Sequence, residues 1–254
     1  MSSDELLFRY RSASNFGRVL QEVSCIQWFS TAEYLNDPFD GVAGRETKPI
    51  DETRIMKSKH DNGEEFISAV RIAGTEKWVV ACYTPNWNST PMWSHYASDG
   101  AGFCLGYDPK VVLRRVKEHQ AIPIVGTGSA VVSGYVKYVE TLPDTSSSIE
   151  DQILSKSNDW NYEREWRVAT VGFEHPSRAG GIVINLHGAL KQVLVGWRAG
   201  SETYTPLIDM VNKLRERGEE VKIGIVRINN PERKIHLDWP WESHMVPIRS
   251  GKKA

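Results

Sequence analysis

The chain lacks any long run of apolar residues. A membrane-spanning helix needs about 18 or more apolar residues in succession, and no stretch of the 254-residue sequence provides them. Its first residues, Met1 to Glu5, are polar and acidic, and no apolar core of a secretory signal peptide follows them. We therefore expect a cytoplasmic protein without a membrane partner.

Cysteine is scarce, and the histidines are scattered. The three cysteines, Cys25, Cys82 and Cys104, are odd in number and widely spaced in apolar surroundings. This pattern favours reduced core residues over a disulfide framework or a zinc site. The seven histidines show no pair at the helical spacing typical of metal sites. The sequence thus predicts neither disulfide bonds nor a bound metal.

An excess of charge of one sign and a phosphate-binding loop are also missing. The formal net charge of -1 gives no global electrostatic reason to expect nucleic acid or an anionic membrane as a partner. Residues 126–131 begin like a dinucleotide-binding fingerprint, but the third glycine is absent and β-branched residues follow. We interpret this segment as a hairpin turn.

The patterns that are present predict a mixed fold. Short strands alternate with helices at uneven spacing, and some strands form apparent hairpins, which favours an α+β fold over a doubly wound parallel sheet. We predict one domain over residues 1–254, with a candidate flexible loop at 141–148. Strands are predicted at 6–11, 26–30, 78–84, 102–107, 122–125, 131–139, 181–186, 192–195 and 221–228. Helices are predicted from residue 15 or 16, in pieces over 51–74, and over 92–97, 111–118, 149–158 and 205–218.

The segment from Trp160 to Arg167 concentrates charged and aromatic side chains where a strand is predicted to begin. Side chains alternate between the two faces of a strand, so Glu163, Glu165 and Arg167 should share one face. Two carboxylates and a guanidinium on one face could form the floor of a site. A solvated strand end with a local Glu–Arg pair is the simpler alternative.

Three other segments place polar side chains beside aromatic residues at strand ends or in loops, where sites are common. Each also has a purely structural explanation, because Asn36 and Asp37 could cap a turn, His95 could be a core histidine, and Arg11 could pair with a nearby acid. The segments are Tyr10-Arg11-Ser12, the run from Trp28-Phe29-Ser30-Thr31 to Asn36-Asp37-Pro38-Phe39-Asp40, and Met92-Trp93-Ser94-His95-Tyr96-Ala97.

Together and in this order, the four segments resemble the bacterial domain-of-unknown-function family 2971. Its members share an early tyrosine with a basic residue, a Trp-Phe-Ser segment before Asn-Asp-Pro-Phe-Asp, a Met-Trp-Ser-His-Tyr-Ala segment, and Tyr-Glu-x-Glu-Trp-Arg. The corresponding segments here span residues 10 to 167. The family carries no established activity, so this resemblance implies no particular reaction.

The order of the elements is more distantly similar to the ADP-ribosyltransferase superfamily. There an Arg or His, a central Ser or Tyr and a late Glu hold NAD in a cleft between two small sheets. The resemblance implies mixed, mostly antiparallel sheets that form a cleft with peripheral helices. By position it implies Arg11 for the first role, Ser30 or Tyr96 for the second, and Glu163 or Glu165 for the third. Ser30-Thr31 is only part of the superfamily's Ser-Thr-Ser run.

This resemblance implies an enzyme that cleaves the nicotinamide–ribose bond of NAD and passes ADP-ribose to a macromolecule or to water. NAD would be the substrate, no metal would be needed, and a bacterial toxin or phage-defence effector with an antitoxin or defence-system partner would be the setting. Glu165, Glu163 and Arg11 would be catalytic. Ser30, Thr31, Asn36, Asp37, Asp40, Trp93, His95, Tyr96 and Arg167 would bind the substrate.

Two other functions fit the residues. Asp37, Asp40, Glu163 and Glu165 could bind Mg²⁺ in a nuclease or phosphodiesterase, although no lysine or histidine stands beside them in the sequence. A nucleotide-binding interaction module without catalysis is the third. Neither the acceptor of ADP-ribose nor a regulatory partner follows from the sequence.

Overall fold

The computed structural model describes residues 5–31, 34–37, 56–59, 65–68, 78–120, 131–144, 146–171, 180–229, 231–232 and 234–239. The strands are β1 (Leu7–Arg11), β2 (Ile26–Thr31), β3 (Met56–Lys59), β4 (Glu65–Ser68), β5 (Trp78–Tyr83), β6 (Phe103–Tyr107), β7 (Val131–Tyr135), β8 (Lys137–Val139), β9 (Ser155–Ser157), β10 (Trp166–Val171), β11 (Gly181–Asn185), β12 (Leu190–Val195), β13 (Lys222–Asn229) and β14 (Lys234–Asp238). The helices are α1 (Phe16–Val23), α2 (Thr90–Tyr96), α3 (Pro109–Gln120), α4 (Ile149–Ile153) and α5 (Ser201–Glu216), and 3-10 helices cover Ala13–Asn15, Ser98–Gly100 and Asn158–Glu163.

Two five-stranded sheets contain ten of these strands. The first has the order β1-β6-β12-β13-β14 and is antiparallel except between β12 and β13. The second has the order β11-β2-β5-β10-β7 and is antiparallel throughout. The two sheets meet where Phe8 of β1 and Thr84, which follows β5, exchange backbone hydrogen bonds of 2.7 and 2.8 Å. The predicted α+β class with mostly antiparallel sheets is confirmed.

A single main core lies against both sheets. Each buried aliphatic or aromatic side chain contributes roughly 1.5 to 3 kcal/mol of transfer free energy, so this shared core stabilises the sheets together. Its members include Leu7, Phe103 and Val193 of the first sheet, Phe29, Val79 and Val168 of the second, and Val19, Val116 and Val211 of α1, α3 and α5.

Smaller clusters cover other faces of the sheets. On the first sheet, Tyr10 and Cys104 pack with Trp93 of α2. On the second sheet, Val80 and Ala169 pack with Ile153 of α4. The helices α2 and α4 therefore each cover a sheet face and bring the segments that follow them close to the sheet junction.

Two predictions from composition have structural counterparts. Cys25, Cys82 and Cys104 are all free thiols, as predicted, and none of them forms a disulfide. In the part of the chain that the structure describes, no helix combines the length and the apolar character needed to cross a membrane.

The prediction of helix over residues 51–74 is wrong for two segments. Met56–Lys59 and Glu65–Ser68 are the antiparallel strands β3 and β4, with Lys59 opposite Glu65. The sequence between them contains Asn62-Gly63, a dipeptide that favours hairpin turns because both residues tolerate positive φ. The predicted strand 122–125 and the hairpin turn at 126–131 lie outside the described residues or at their edge.

The predicted start of α5 is also wrong. The helix begins at Ser201, behind Gly200 as its N-cap, and Pro206 lies inside it. Glu202 in the first turn interacts favourably with the helix dipole, and the amides of Thr203 and Tyr204 already donate to the Gly200 carbonyl. The Thr205-Pro206 pair resembles a helix start locally, but the upstream turn is already helical.

The region around residues 131–158 is divided more finely than predicted. The predicted strand 131–139 is two strands in different sheets, with β7 beside β10 and β8 beside β9. The predicted helix 149–158 ends at Ile153, and the chain then forms β9 and a 3-10 helix. The strand β14 was not predicted.

Candidate functional site

A cleft of about 210 Å³ lies beside the junction of the two sheets. Six of the predicted site residues line it, and they come from distant parts of the sequence. These six are Arg11, Ser30, Asn36, Tyr96, Glu163 and Glu165. Residues that were not predicted as site residues line it as well, among them Arg9, Arg18, Tyr83 and Lys156.

Lys156 is at the centre of the acidic part of the cleft. Its ammonium donates to Glu163 Oε2 at 2.6 Å and to Glu165 Oε2 at 3.4 Å. The same Nζ lies 4.7 Å from the centre of the Trp160 ring, within the range of a cation–π interaction. All three charged side chains are buried. A buried cation thus bridges the two carboxylates that the sequence brought to attention.

The backbone before β10 explains how both carboxylates reach Lys156. Ser157 caps the 3-10 helix Asn158–Glu163, and Arg164 at its end adopts the left-handed conformation, with φ of 47°. The predicted strand therefore begins only at Trp166, and strand alternation does not place Glu163 and Glu165 on one face. Instead, the left-handed residue between them turns the chain so that both carboxylates converge on one ammonium.

Arg167 fixes Glu165 from behind the cleft. Its Nε donates to Oε1 and its second terminal nitrogen to Oε2, both at 3.0 Å, while the other terminal nitrogen donates to the Ile153 carbonyl at 2.7 Å. Burial opposes ionisation of Glu165, but Arg167 and Lys156 outweigh it and lower its pKa to about 2. Glu165 is therefore an ionised, immobile carboxylate at neutral pH.

Glu163 is held less completely and contacts the α2 motif. The hydroxyl of Tyr96 donates to Glu163 Oε1 at 2.5 Å, and Asn36 also hydrogen-bonds that hydroxyl. Burial and the bond to Glu163 raise the pKa of Tyr96 above its ordinary value, so the phenol stays protonated. Segments from three separate sequence motifs therefore meet at Glu163.

A group of arginines forms the basic part of the cleft. Arg11 donates to Glu22 Oε1 through Nε at 2.9 Å and through a terminal nitrogen at 2.5 Å, and the Arg9 guanidinium lies 4.0 Å from the same oxygen. Burial disfavours the charge on Glu22, but Arg11 and Arg9 lower its pKa below the ordinary value. Burial and then the positive charge of Arg11 lower the pKa of Arg18. Two guanidinium groups thus share one buried carboxylate, and Arg18 lies close enough to Arg11 to respond to its charge, which leaves excess positive charge at the cleft.

The structure does not bring every predicted residue to the cleft. Trp93 is fully buried on the inner face of α2, where its indole donates to the Trp87 carbonyl at 2.8 Å. The exposed ring of His95 lies 6.1 Å from that of Tyr162, and Thr31 donates to the Gly180 carbonyl. Asp37 is buried outside the cleft lining, and Arg167 is also outside it, where it binds Glu165. Asp40 lies outside the described residues.

Sequence reasoning missed Lys156 and Arg18 for different reasons. Lys156 was assigned to a helix, and its role appears only when β9 is placed beside the 3-10 helix. Arg18 lies one turn from Glu22 on α1, on the polar side of an otherwise ordinary amphipathic pattern. Arg9 alternates with Tyr10 along β1, and that period-two pattern was the one local signal that Arg9 and Arg11 share a face.

The arrangement disfavours the metal-dependent nuclease. The ammonium of Lys156 lies between Glu163 and Glu165, where a divalent cation would have to bind, and a metal there would face strong repulsion. Asp37, which that hypothesis required, does not line the cleft. The acids of the cleft thus form ion pairs with cationic side chains.

Comparison with known proteins gives one match. The family described as "Protein of unknown function (DUF2971)" matches residues 92–168, a segment that contains Tyr96, Lys156, Glu163 and Glu165. No curated protein and no solved structure matches the chain. The predicted resemblance is thus confirmed over residues 92–168, which contain the last two of the four motifs.

Proposed function

We propose that the cleft binds NAD and cleaves its nicotinamide–ribose bond, passing ADP-ribose to a macromolecule or to water. The observation that carries this proposal is the composition of the cleft, in which a cluster of arginines and a pair of buried carboxylates line the same space. A dinucleotide needs both, because its pyrophosphate is anionic and its ribose becomes cationic as nicotinamide leaves.

The arginine cluster suits the pyrophosphate. Arg11 already donates to Glu22, so it contributes mainly a fixed positive potential and not a hydrogen bond to the phosphate. Arg18 is the better candidate for direct contact, because it lines the cleft and forms no ion pair with a carboxylate of the described residues. Guanidinium groups bind phosphate oxygens through strong charge-assisted bonds.

The carboxylates suit the reacting sugar. Nicotinamide leaves with the bonding electron pair, so positive charge develops on the ribose, as it does in glycoside hydrolysis. Fixed negative charge nearby stabilises that transition state. Arg167 donates to both oxygens of Glu165, whereas Glu163 accepts from Tyr96 through Oε1 and from Lys156 through Oε2. We assign Glu163 the contact with the ribose or the acceptor's proton, and Glu165 the fixed field behind it.

The size of the cleft and the arrangement of the sheets are consistent with this proposal. About 210 Å³ is less than the several hundred Å³ of most small-molecule sites, and it suits the nicotinamide–ribose end more than a whole dinucleotide. A cleft where two mostly antiparallel sheets meet is also what an ADP-ribosyltransferase-like fold implies. A role as a toxin or phage-defence effector, with a matching protein partner, belongs to the same proposal.

The test is release of nicotinamide from labelled NAD by the purified protein, with and without cell lysate as a source of acceptors. We expect release, and Glu163→Gln should slow it by about 100-fold or more, because one stabilising charge is lost without a change in shape. Glu150→Gln, a substitution of an exposed glutamate on α4, is the matched control and should not change the rate.

The outcomes separate the remaining functions. Label transferred to a lysate component would indicate a transferase, and release without transfer would indicate a glycohydrolase. If NAD binds but is not cleaved at high protein concentration, the protein is a nucleotide-binding module and not an enzyme. If NAD neither binds nor reacts, or if Glu163→Gln reacts at the normal rate, the proposal is wrong.

Arg18 provides an independent test of the binding mode. Arg18→Ala should weaken NAD binding by roughly 10-fold, because the variant lacks a positive charge that contacts the pyrophosphate. Adenosine has no phosphate and should bind the variant and the wild type equally. Binding is measured by calorimetry with both ligands. Equal NAD affinity of the two proteins would remove the arginine cluster from the proposal.

A further inference from the structure

Three potential metal ligands meet beside the C-terminal end of α1. A ligand atom each from Cys25, His187 and Glu219 lies within 4.8 Å of the other two. The three residues line a separate pocket together with side chains of α5, including Met210 and Leu214. They are far apart in the sequence, so no spacing motif could predict them.

Backbone hydrogen bonds hold the three positions together. The Cys25 carbonyl accepts from the Leu186 amide at 2.8 Å, which places the end of α1 beside the turn between β11 and β12. In that turn the His187 amide donates to Asn185 Oδ1 at 2.9 Å. The amide of Glu219 donates to the Leu214 carbonyl at 3.1 Å, which closes the end of α5. The ligands therefore project from backbone that the fold already fixes.

The distances suit a tetrahedral ion. Zinc binds nitrogen and oxygen at about 2.0 to 2.2 Å and sulfur at about 2.3 Å, so neighbouring ligand atoms lie roughly 3.3 to 3.6 Å apart. His187 Nδ1 and Glu219 Oε1 are 3.1 Å apart. The wider separations, up to 4.8 Å, require a shift of about 1 Å, and His187, whose side chain is 58% exposed, has room for it.

Two further features indicate that these residues are arranged for a ligand. Glu219 Oε2 is buried and accepts no hydrogen bond from the residues that the structure describes, and a buried acceptor left unpaired costs about 1 to 3 kcal/mol. Cys25 has a φ of 67° at the end of α1, a position where glycine is usual and a side chain is strained. A metal ion would give the buried carboxylate oxygen a partner. It would also explain why a cysteine occupies this strained backbone position.

The ligand types select the metal. A thiolate disfavours the hard ions Mg²⁺ and Ca²⁺, whereas Zn²⁺ accepts cysteine sulfur, histidine nitrogen and carboxylate oxygen as ligands. Thiolate and carboxylate together neutralise the charge of the ion, which matters because Lys213 and Arg217 also line the pocket.

We propose that Cys25, His187 and Glu219 bind one Zn²⁺ ion, with water as the fourth ligand. The ion joins the end of α1 to the β11–β12 turn and to the end of α5. It therefore braces the end of α1, the helix that also carries Arg18 of the cleft lining and the carboxylate of Glu22. The site is separate from the cleft, and it stands whether or not the cleft acts on NAD.

The test uses the full chain, freed of metal with a chelator and titrated with zinc chloride against a chromophoric competitor. We expect one equivalent to bind, and Cys25→Ser and His187→Ala should each bind at least 100-fold more weakly. Cobalt should produce a thiolate-to-metal charge-transfer band in the wild type and none in Cys25→Ser. His236→Ala, which removes another exposed histidine that lies beside a carboxylate, is the matched control and should bind like the wild type.

A stability measurement guards against a variant that fails to fold. Zinc should raise the melting temperature of the wild type and of His236→Ala but not that of His187→Ala, whose metal-free melting temperature should equal that of the wild type because the ring is largely exposed. The proposal is overturned if the wild type binds less than one equivalent, or if the zinc affinity of His187→Ala matches that of the control.

Discussion

The contact between Glu165 and Arg167 determines what a substitution at either residue will do. Glu165→Gln leaves the buried guanidinium without its countercharge, and breaking one half of a buried pair costs roughly 3 to 5 kcal/mol. The double variant Glu165→Gln/Arg167→Met removes both charges and should recover a large part of that loss. Urea unfolding measures all three proteins. A double variant no more stable than the single one would show that the pair is not the source of the loss.

This contact also affects the choice of residue for enzymology. Because Glu165→Gln is expected to destabilise the protein, lost activity in that variant would not distinguish catalysis from folding. Glu163→Gln keeps one acceptor oxygen for Lys156, which also retains the Glu165 carboxylate, and the new amide nitrogen can donate to the Tyr96 hydroxyl oxygen. Glu163 is therefore the residue to test first, although the resemblance implied either Glu163 or Glu165 for this role.

Ionisation of Glu165 predicts how stability depends on pH. Its folded pKa of about 2 lies below its ordinary value of 4.5, so the unfolded chain binds more protons between these values. The contribution, on the order of 3 kcal/mol, is fully present above about pH 4.5 and is lost as the pH falls towards 2. Unfolding free energies at pH 5 and pH 3 should therefore differ more in the wild type than in Glu165→Gln/Arg167→Met. Equal differences would contradict the assignment.

Among the elements, the 3-10 helix and left-handed turn before β10 offer a test of local geometry. Arg164 is exposed and has a φ of 47°, a conformation that glycine adopts without the cost of a Cβ. Arg164→Gly should therefore leave stability unchanged or raise it by up to about 1 kcal/mol. Arg114→Gly, in the interior of α3, is the matched control and should lower stability by about 1 kcal/mol. Similar losses in both variants would contradict the left-handed turn.

The elements also show where sequence patterns suffice and where they do not. β5 was predicted from its continuous run of apolar residues, and α1 from the helical period of Phe16, Val19, Leu20 and Val23 on one face. β9 is three residues long, and Lys156 is its central residue. Three residues are too few to show an alternating pattern of apolar side chains. The pairing of β9 with β8 also depends on a segment that is distant in the sequence. Six residues of the cleft lining were therefore predicted from motifs, whereas the central lysine was not.

At the scale of the molecule, the location of the cleft follows from how two sheets share one core. The first sheet contributes Arg9 and Arg11 from β1, the second brings Cys82 from β5, and Glu163 and Glu165 precede β10. The sequence order of the four motifs indicated that they belong together, but a motif carries no information on distance. The bridge between Phe8 and Thr84 brings the end of β5 beside β1, and this pairing sets the distance between the motifs.

The shared core makes a prediction about cooperativity, which also tests the prediction of one domain. Because Val79 and Val193 belong to different sheets but to the same core, neither sheet can lose its packing alone. Urea unfolding followed by tryptophan fluorescence and by far-ultraviolet circular dichroism should give coincident transitions. Val79→Ala and Val193→Ala should each move both transitions together, by roughly 1 to 3 kcal/mol. If one variant separates the two transitions, the sheets unfold independently, and the cleft between them lies at a boundary that can open.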